Sequence, residues 1–176
     1  TVCYASKAFC CAGIYSILAP LGLGADVVSG GELYTAIKGG MDPAKIYFHG
    51  NNKTESEIAY ALESGVECFV VDSEHELTLI SKHAEKPQNV IVRVNPGVEA
   101  HTHKFIQTTT PDSKFGFSIA DGTAEQIILS IKNYDNISFK GIACHIGSQI
   151  FEPQSFEIAI DKMTDFIVKL NSLGIE

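Results

Sequence analysis

An α/β fold of alternating strands and helices is what this sequence predicts, and three observations lead there. Short apolar, β-branched or aromatic runs recur about every 22 residues through the first half of the chain. A stretch with helical spacing follows each run. Helix-start and helix-stop residues stand at the joins.

The elements follow in order. Residues 2–6 are short and apolar, and 9–21 then carry helical spacing. Residues 25–28 read as a strand and 31–38 as a helix. The pattern repeats at 45–49 with 55–64, and at 67–71 with 74–84. Residues 89–94 form a β-branched run, the strongest strand signal in the chain. A longer polar loop runs from 96 to about 114. A helix at 124–132 and a strand at 137–145 follow it. An amphipathic helix at 156–173 closes the chain, with Phe156, Ile160, Met163, Phe166, Ile167 and Leu170 near the 3.6 period.

Four helix starts fit the capping-box pattern: Ser29 with Glu32, Thr54 with Glu57, Ser73 with Glu76, and Thr123 with Gln126. In such a box the hydroxyl satisfies an orphan amide of the first turn, and the acid or amide reaches back. Gly39-Gly40, Gly65 and Gly174 stand at helix ends, where a left-handed residue is needed.

Short strands alternating with helices imply parallel βαβ units, because parallel neighbours require a crossover. Two architectures compete. An open doubly wound sheet calls for a phosphate-binding G-x-G-x-x-G after the first strand. Gly22-Leu23-Gly24 instead precedes a strand and lacks the third glycine. No G-x-x-x-x-G-K-[ST] is present either. The expected fold is therefore a TIM (β/α)8-type barrel, with six strands and about six of eight βα units in this chain.

Composition excludes several function classes. The 176 residues are 45% hydrophobic and 19% charged, with 15 Gly and 6 Pro, which argues against disorder and low complexity. A net charge of −8 leaves no basic footprint for nucleic acid or an anionic membrane. No apolar run reaches the length of a membrane span. Cys3, Cys10, Cys11, Cys68 and Cys144 are odd in number and form no C-x-x-C. They are read as reduced thiols of a cytoplasmic protein. His101 and His103 lie two apart in the polar loop and are read as solvated, so no metal site is expected. The first residues lack an initiator Met and any signal-peptide pattern, and a piece of a larger protein is expected.

Barrel chemistry sits at the C-terminal ends of strands. Lys7, Asp26, His49, Asp72, Arg93 and His145 with Gly147 and Ser148 fall there. Lys7 is a candidate Schiff-base former, or a plain surface lysine. His145 can stack on a flat ring, and Gly147-Ser148 can offer amides and a hydroxyl to a phosphate. A core histidine and a turn are the alternative. Arg93 sits in an apolar run and is expected to be buried and paired, with Asp26 or Asp72 as candidate partners.

Together these residues resemble a family. Tyr4-Ala5-Ser6-Lys7-Ala8 is similar to the Tyr-Ala-x-Lys-Ala motif of fold-type III pyridoxal-phosphate enzymes, the alanine racemases and barrel-type amino-acid decarboxylases. Residues 26–33, 48–53, 93–97, 101–103, 113–117 and 145–149 resemble the diaminopimelate decarboxylases among them, in order along the chain. Ser6 stands where valine is commoner.

The resemblance implies roles. Lys7 would bond pyridoxal 5'-phosphate and later release it to the substrate. His145 would stack on the cofactor ring, and Gly147 and Ser148 would hold its phosphate. Asp26 would sit near Lys7, Arg93 near the phenolic side, and Ala5 under the ring. Lys7, His145 and Asp26 would be catalytic. The implied reaction takes carbon dioxide from meso-diaminopimelate to give L-lysine. A decarboxylase of ornithine, arginine or carboxynorspermidine is the alternative, as is a non-catalytic regulatory homologue. The resemblance also implies that residues 1–176 are a pyridoxal-phosphate-binding barrel domain truncated at both ends. A C-terminal β-domain and an acidic ring-nitrogen partner would lie beyond it. The full enzyme would be a homodimer; this chain alone is expected to have little or no activity and to self-associate.

Overall fold

The structure, a computed structural model, describes residues 2–98, 115–151 and 153–175. His101 and His103 lie outside the described residues. The chain forms two compact units. One comprises Thr1–Ile91 and Ile131–Gly141, the other Val92–Ser130 and Ile142–Glu176.

The first unit opens with strands β1 (Cys3–Ala5), β2 (Gly24–Val27), β3 (Ile46–Phe48) and β4 (Cys68–Val71). They pair in chain order and in parallel, with Ala5 opposite Asp26, Val27 opposite Phe48 and Phe48 opposite Phe69. The crossovers are helices α1 (Ala12–Leu18), α2 (Gly30–Lys38) and α3 (Glu55–Ser64), and α4 (Glu74–His83) follows β4. All four residues of β4 are buried, which is why it reads as a continuous apolar run without alternation. Leu33, Ile58, Leu77 and Ile80 of the helices have no exposed surface. Each such burial contributes about 1.5–3 kcal/mol.

The hydroxyl caps form as expected in three of four cases, the full box in one. Thr54 and Glu57 form a complete capping box. Ser29 and Ser73 accept from the amides of Glu32 and Glu76, as expected. The two glutamates reach one residue further back than in a box, to the amides of Val28 and Asp72. Thr123 is different: it is already inside its helix, and Asp121 Oδ1 accepts from its amide at 2.9 Å. The Gln126 amide donates to the Gly122 carbonyl instead. Gly65 takes the left-handed conformation at φ 77°. Gly39 does not; it is helical at φ −79°, and a Cβ there would lie 2.5 Å from the Tyr15 Cβ. That glycine serves close packing of α2 on α1.

Three more strands follow: β5 (Gln88–Asn95), β6 (Phe117–Ser118) and β7 (Ile137–Ala143). The described residues thus hold seven strands, one more than the sequence reading expected. Two residues of β6 are too few to show an alternating pattern. Residues 88–91 and 137–141 belong to the first unit. There the Asn136 amide group donates to the carbonyls of Ser81 and Ala84, each at 2.8 Å, and fastens the entry of β7 to the end of α4.

The second unit takes residues 92–95 of β5, β6, and the helices α5 (Thr123–Ser130) and α6 (Pro153–Ser172). Val94 pairs with Phe117 and Asn95 with Ser118, in parallel. Helix α6 begins three residues earlier than its apolar pattern, because Pro153 suits the first helical position. Val98, Ile146 and Ala159 form a buried cluster. An ion pair joins Lys169 of α6 to Glu125 of α5. No helix among the described residues is long and apolar enough to cross a membrane.

Candidate functional site

In the first unit, the site residues gather at the ends of β1 to β4. Chain direction turns sharply after Ala5, into a single 3-10 turn at Ser6–Ala8. Alternation across that turn buries Ser6 and leaves Lys7 exposed. The turn is fastened from both sides. The Tyr4 hydroxyl donates to the Phe9 carbonyl at 2.9 Å, and the Tyr4 ring meets Tyr15 edge-on at 6.3 Å. The buried Tyr15 hydroxyl donates to Cys10 Sγ at 3.5 Å. Burial pushes its phenol well above the ordinary range, the Cys10 contact adds to that, and the Ser6 hydroxyl pulls it back. Ser6 therefore brings a polar atom to a spot that valine would fill with methyl groups.

Asp26 lies in register with Ala5 on one side and Tyr47 on the other. Its carboxylate Oδ1 stands 3.7 Å from His49 Nε2, and both side chains are a little under one-third exposed, at 29% and 28%. His49 lies just beyond β3, and its amide donates to the Val27 carbonyl at 2.7 Å. The negative charge of Asp26 reaches Cys3: burial first, then Asp26, hold that thiol above its ordinary range. Asp72 follows β4 directly, and its amide is held by Glu76 Oε2 at 3.1 Å.

Beneath these residues lies a buried ion pair that the sequence reading did not single out. The Lys53 side chain has 0% exposure, and its ammonium donates to Glu76 Oε1 at 2.6 Å. It also donates to the carbonyls of Gly50 at 2.7 Å and Val70 at 2.9 Å. Burial pushes the Glu76 carboxyl up, and Lys53 pulls it back only part of the way. The signal available in the sequence was indirect. Glu76 occupies a capping position, but nothing local shows that Lys53 is desolvated.

In the second unit, Arg93 is half-buried on β5, less than the apolar run around it suggested. Side chains alternate there: Val90, Val92 and Val94 take the buried face, and Arg93 the other. Its guanidinium lies over the Phe115 ring at 4.7 Å. Gly116, at φ 72°, brings the chain against β5; a Cβ there would sit 3.1 Å from the Arg93 carbonyl oxygen. The charge of Arg93 is felt by Cys144, whose thiol burial pushes up and Arg93 pulls down.

His145 lies beyond β7, which ends at Ala143, two residues earlier than expected. The imidazole is exposed, Ile146 is buried, and Ser148 is exposed. Gly147 takes φ 134° and Gln149 φ 57°, so the segment after β7 is a tight irregular loop. A cavity of about 300 Å³ opens there, lined by Cys144, His145, Gly147 and the α6 residues Phe156, Ala159 and Met163. Lys162 of the same helix donates to the carbonyls of Pro96 and Gly97, tying α6 to the end of β5. Among the described residues, no three His, Cys, Asp or Glu side chains gather as a metal site.

The family model for the pyridoxal-dependent decarboxylases, pyridoxal binding domain, matches residues 1–176. A diaminopimelate decarboxylase of Staphylococcus aureus is 51% identical over 155 residues, which is 88% of this chain and 37% of the relative. That of Halalkalibacterium halodurans is 46% identical, over 95% of this chain and 39% of the relative. The chain thus spans less than two-fifths of the curated relatives it matches. Among solved structures, the diaminopimelate decarboxylase of M. jannaschii in co-complex with L-lysine superposes with a TM-score of 0.91. It is 41% identical, and the match covers 99% of this chain and 41% of that one. The fold is the alternating β/α barrel domain of those enzymes.

Proposed function

The chain belongs to the pyridoxal-dependent decarboxylase family, through its pyridoxal binding domain, and on that premise we propose that it is the cofactor-binding part of a decarboxylase acting on meso-diaminopimelate. The observation that carries the proposal is Lys7, an exposed primary amine in the 3-10 turn that follows β1, with Asp26 in register beside the strand that delivers it.

Each unit, taken by itself, offers groups of the kinds that pyridoxal phosphate takes. In the first unit, Lys7 offers a primary amine, the group that bonds an aldehyde reversibly. Asp26 offers a carboxylate to orient that amine and its proton, with His49 beside it. Ala5, a small residue at the end of β1, leaves room for a flat ring. In the second unit, His145 presents an exposed imidazole for stacking. Gly147 and Ser148 present an amide and a hydroxyl suited to a phosphate. Arg93, stacked on Phe115, holds a fixed positive charge for an anionic oxygen. When bound, the cofactor supplies an electron sink for the pair left behind by departing carbon dioxide. The chain's own residues hold, orient and exchange protons.

The named relatives support meso-diaminopimelate as substrate and L-lysine as product. Residues 1–176 are read as a cofactor-binding barrel domain of a larger enzyme. The five free thiols support a cytoplasmic setting. Exposed apolar side chains, among them Phe9, Ile17, Leu21, Ile160 and Val168, support self-association of this chain and a homodimeric full enzyme.

Titration with pyridoxal phosphate tests the assignment. The visible absorbance band of lysine-bound cofactor is expected in the wild-type chain and absent from Lys7→Ala, with both folded by circular dichroism. An unchanged band in Lys7→Ala would sink it. Meso-diaminopimelate should perturb the band at lower concentration than L-ornithine or L-arginine. An equal response to all three would remove the substrate assignment and leave the cofactor assignment standing.

A further inference from the structure

The buried Lys53–Glu76 pair connects several backbone segments that end beneath candidate site residues. Lys53 Nζ bonds the Gly50 carbonyl, one residue after His49. The same ammonium bonds the Val70 carbonyl, inside β4. Its third partner, Glu76 Oε1, belongs to a carboxylate whose other oxygen takes the Asp72 amide. The ends of β3 and β4 are thus tied through one ammonium and one carboxylate. Lys53 also lies over the Phe48 ring at 5.6 Å, the residue just before His49.

His49 itself has little room to drift. Its amide is held by the Val27 carbonyl. Gly50, at φ 102°, packs so closely on β2 that a Cβ would lie 2.9 Å from the Val28 carbonyl oxygen. The Val28 amide is in turn taken by Glu32 Oε2 at 2.8 Å. His49 is pinned to β2 through its own amide and to β4 through Gly50 and Lys53. Its ring stands beside Asp26.

An ion pair this deeply buried is not the cheapest way to stabilise a core. Well-packed apolar residues of similar volume often do as well or better. Its particular yield here is geometric, since one ammonium meets three acceptors from three segments.

We infer that Lys53 and Glu76 are positioning residues, whose buried pair sets the His49 imidazole against the Asp26 carboxylate. The inference deepens the proposed cofactor role of Asp26 and rests on it for its functional consequence. The geometric part stands on the first unit alone. Loss of the pair removes the tie of Gly50 to β4 and loosens the setting of the His49 ring against Asp26, and that changes the setting in which Lys7 meets its cofactor.

The test uses the double variant Lys53→Met/Glu76→Gln, in which neither charge is left buried alone. The carboxamide oxygen introduced by Glu76→Gln can still accept from the Asp72 amide. Glu55→Gln, a change on the exposed face of α3, serves as the control. The first readout needs no cofactor: the pH titration of the His49 ring resonances by NMR in the apo chain. Among the groups facing that ring is Asp26 on β2, whose Oδ1 stands 3.7 Å from Nε2. The expected result is a shift of the His49 midpoint by about half a pH unit or more in the double variant, with no shift in the control. The second readout is pyridoxal phosphate affinity from the visible band, expected to weaken about tenfold or more. A folded double variant with an unchanged His49 titration would overturn the inference. If the double variant fails to fold, Glu76→Asp, which keeps both charges and shortens the reach to Lys53, takes its place under the same criterion. A wild-type chain that forms no band with pyridoxal phosphate would instead overturn the cofactor reading, while the apo titration still decides the positioning role.

Discussion

Gly24→Ala tests how closely the first two strands are set. Gly24 begins β2, opposite Cys3 of β1. A Cβ at this position would lie 2.5 Å from the Lys45 carbonyl oxygen and 2.8 Å from Cys3 Sγ. The thiol can rotate away, but the carbonyl belongs to backbone entering β3 and cannot. The strand must therefore shift. Overpacking of this kind costs about 1–3 kcal/mol. For a chain of this size, each kcal/mol lowers Tm by roughly 2–4 °C. The expected loss is roughly 2–12 °C, read by circular dichroism or calorimetry. Adding Cys3→Ala should recover only part of it, because the thiol contact is removed and the carbonyl contact remains. The displacement also reaches Asp26, two residues along the same strand, so weaker pyridoxal phosphate binding should accompany the lower Tm. A Gly24→Ala chain melting within about 1 °C of wild type would refute the steric reasoning.

Two further outcomes follow. Lys82 first, and then His83, hold the exposed Glu55 carboxyl down at about 2. A depressed carboxyl stabilises the fold above its ordinary range and loses that effect as pH falls through its folded value. The Tm gap between wild type and Glu55→Gln should be open near neutral pH and close as pH drops from about 4.5 to about 2. A gap that persists at the acid end would contradict the pairing. Sedimentation velocity should show concentration-dependent self-association, driven by exposed residues such as Ile17, Leu21, Ile160 and Val168; a monomer across the accessible concentration range would argue against it.

Much of the fold was legible because its cues are local. Strand and helix periods need only a few neighbouring residues, and caps need three or four. Ser29, Thr54 and Ser73 each found the amide expected of them. Thr123 did not, because the Gln126 amide donates to the Gly122 carbonyl while Asp121 caps the amide of Thr123 itself. Residues 117 and 118 paired as a strand without any periodic signal, through the register of Val94 and Asn95. Arg93 was expected to be buried by its apolar neighbours, yet alternation placed it on the less buried face. The lysine after the first strand was visible as a motif, whereas its exposure beside a buried Ser6 needed the 3-10 turn.

The order of the elements and the candidate residues at strand ends were determined by the sequence itself. Hydrophobic period, turn chemistry and motif order act over short stretches and leave a mark in the residues. Tertiary structure alone decided which charges are desolvated and which meet. Lys53 and Glu76 are 23 residues apart, and nothing near either one announces the pair. Asp26 and His49 come together only because β2 and β3 are parallel neighbours with a fixed register. Burial and pairing are set by distant segments converging, so they exist only once the strands are side by side.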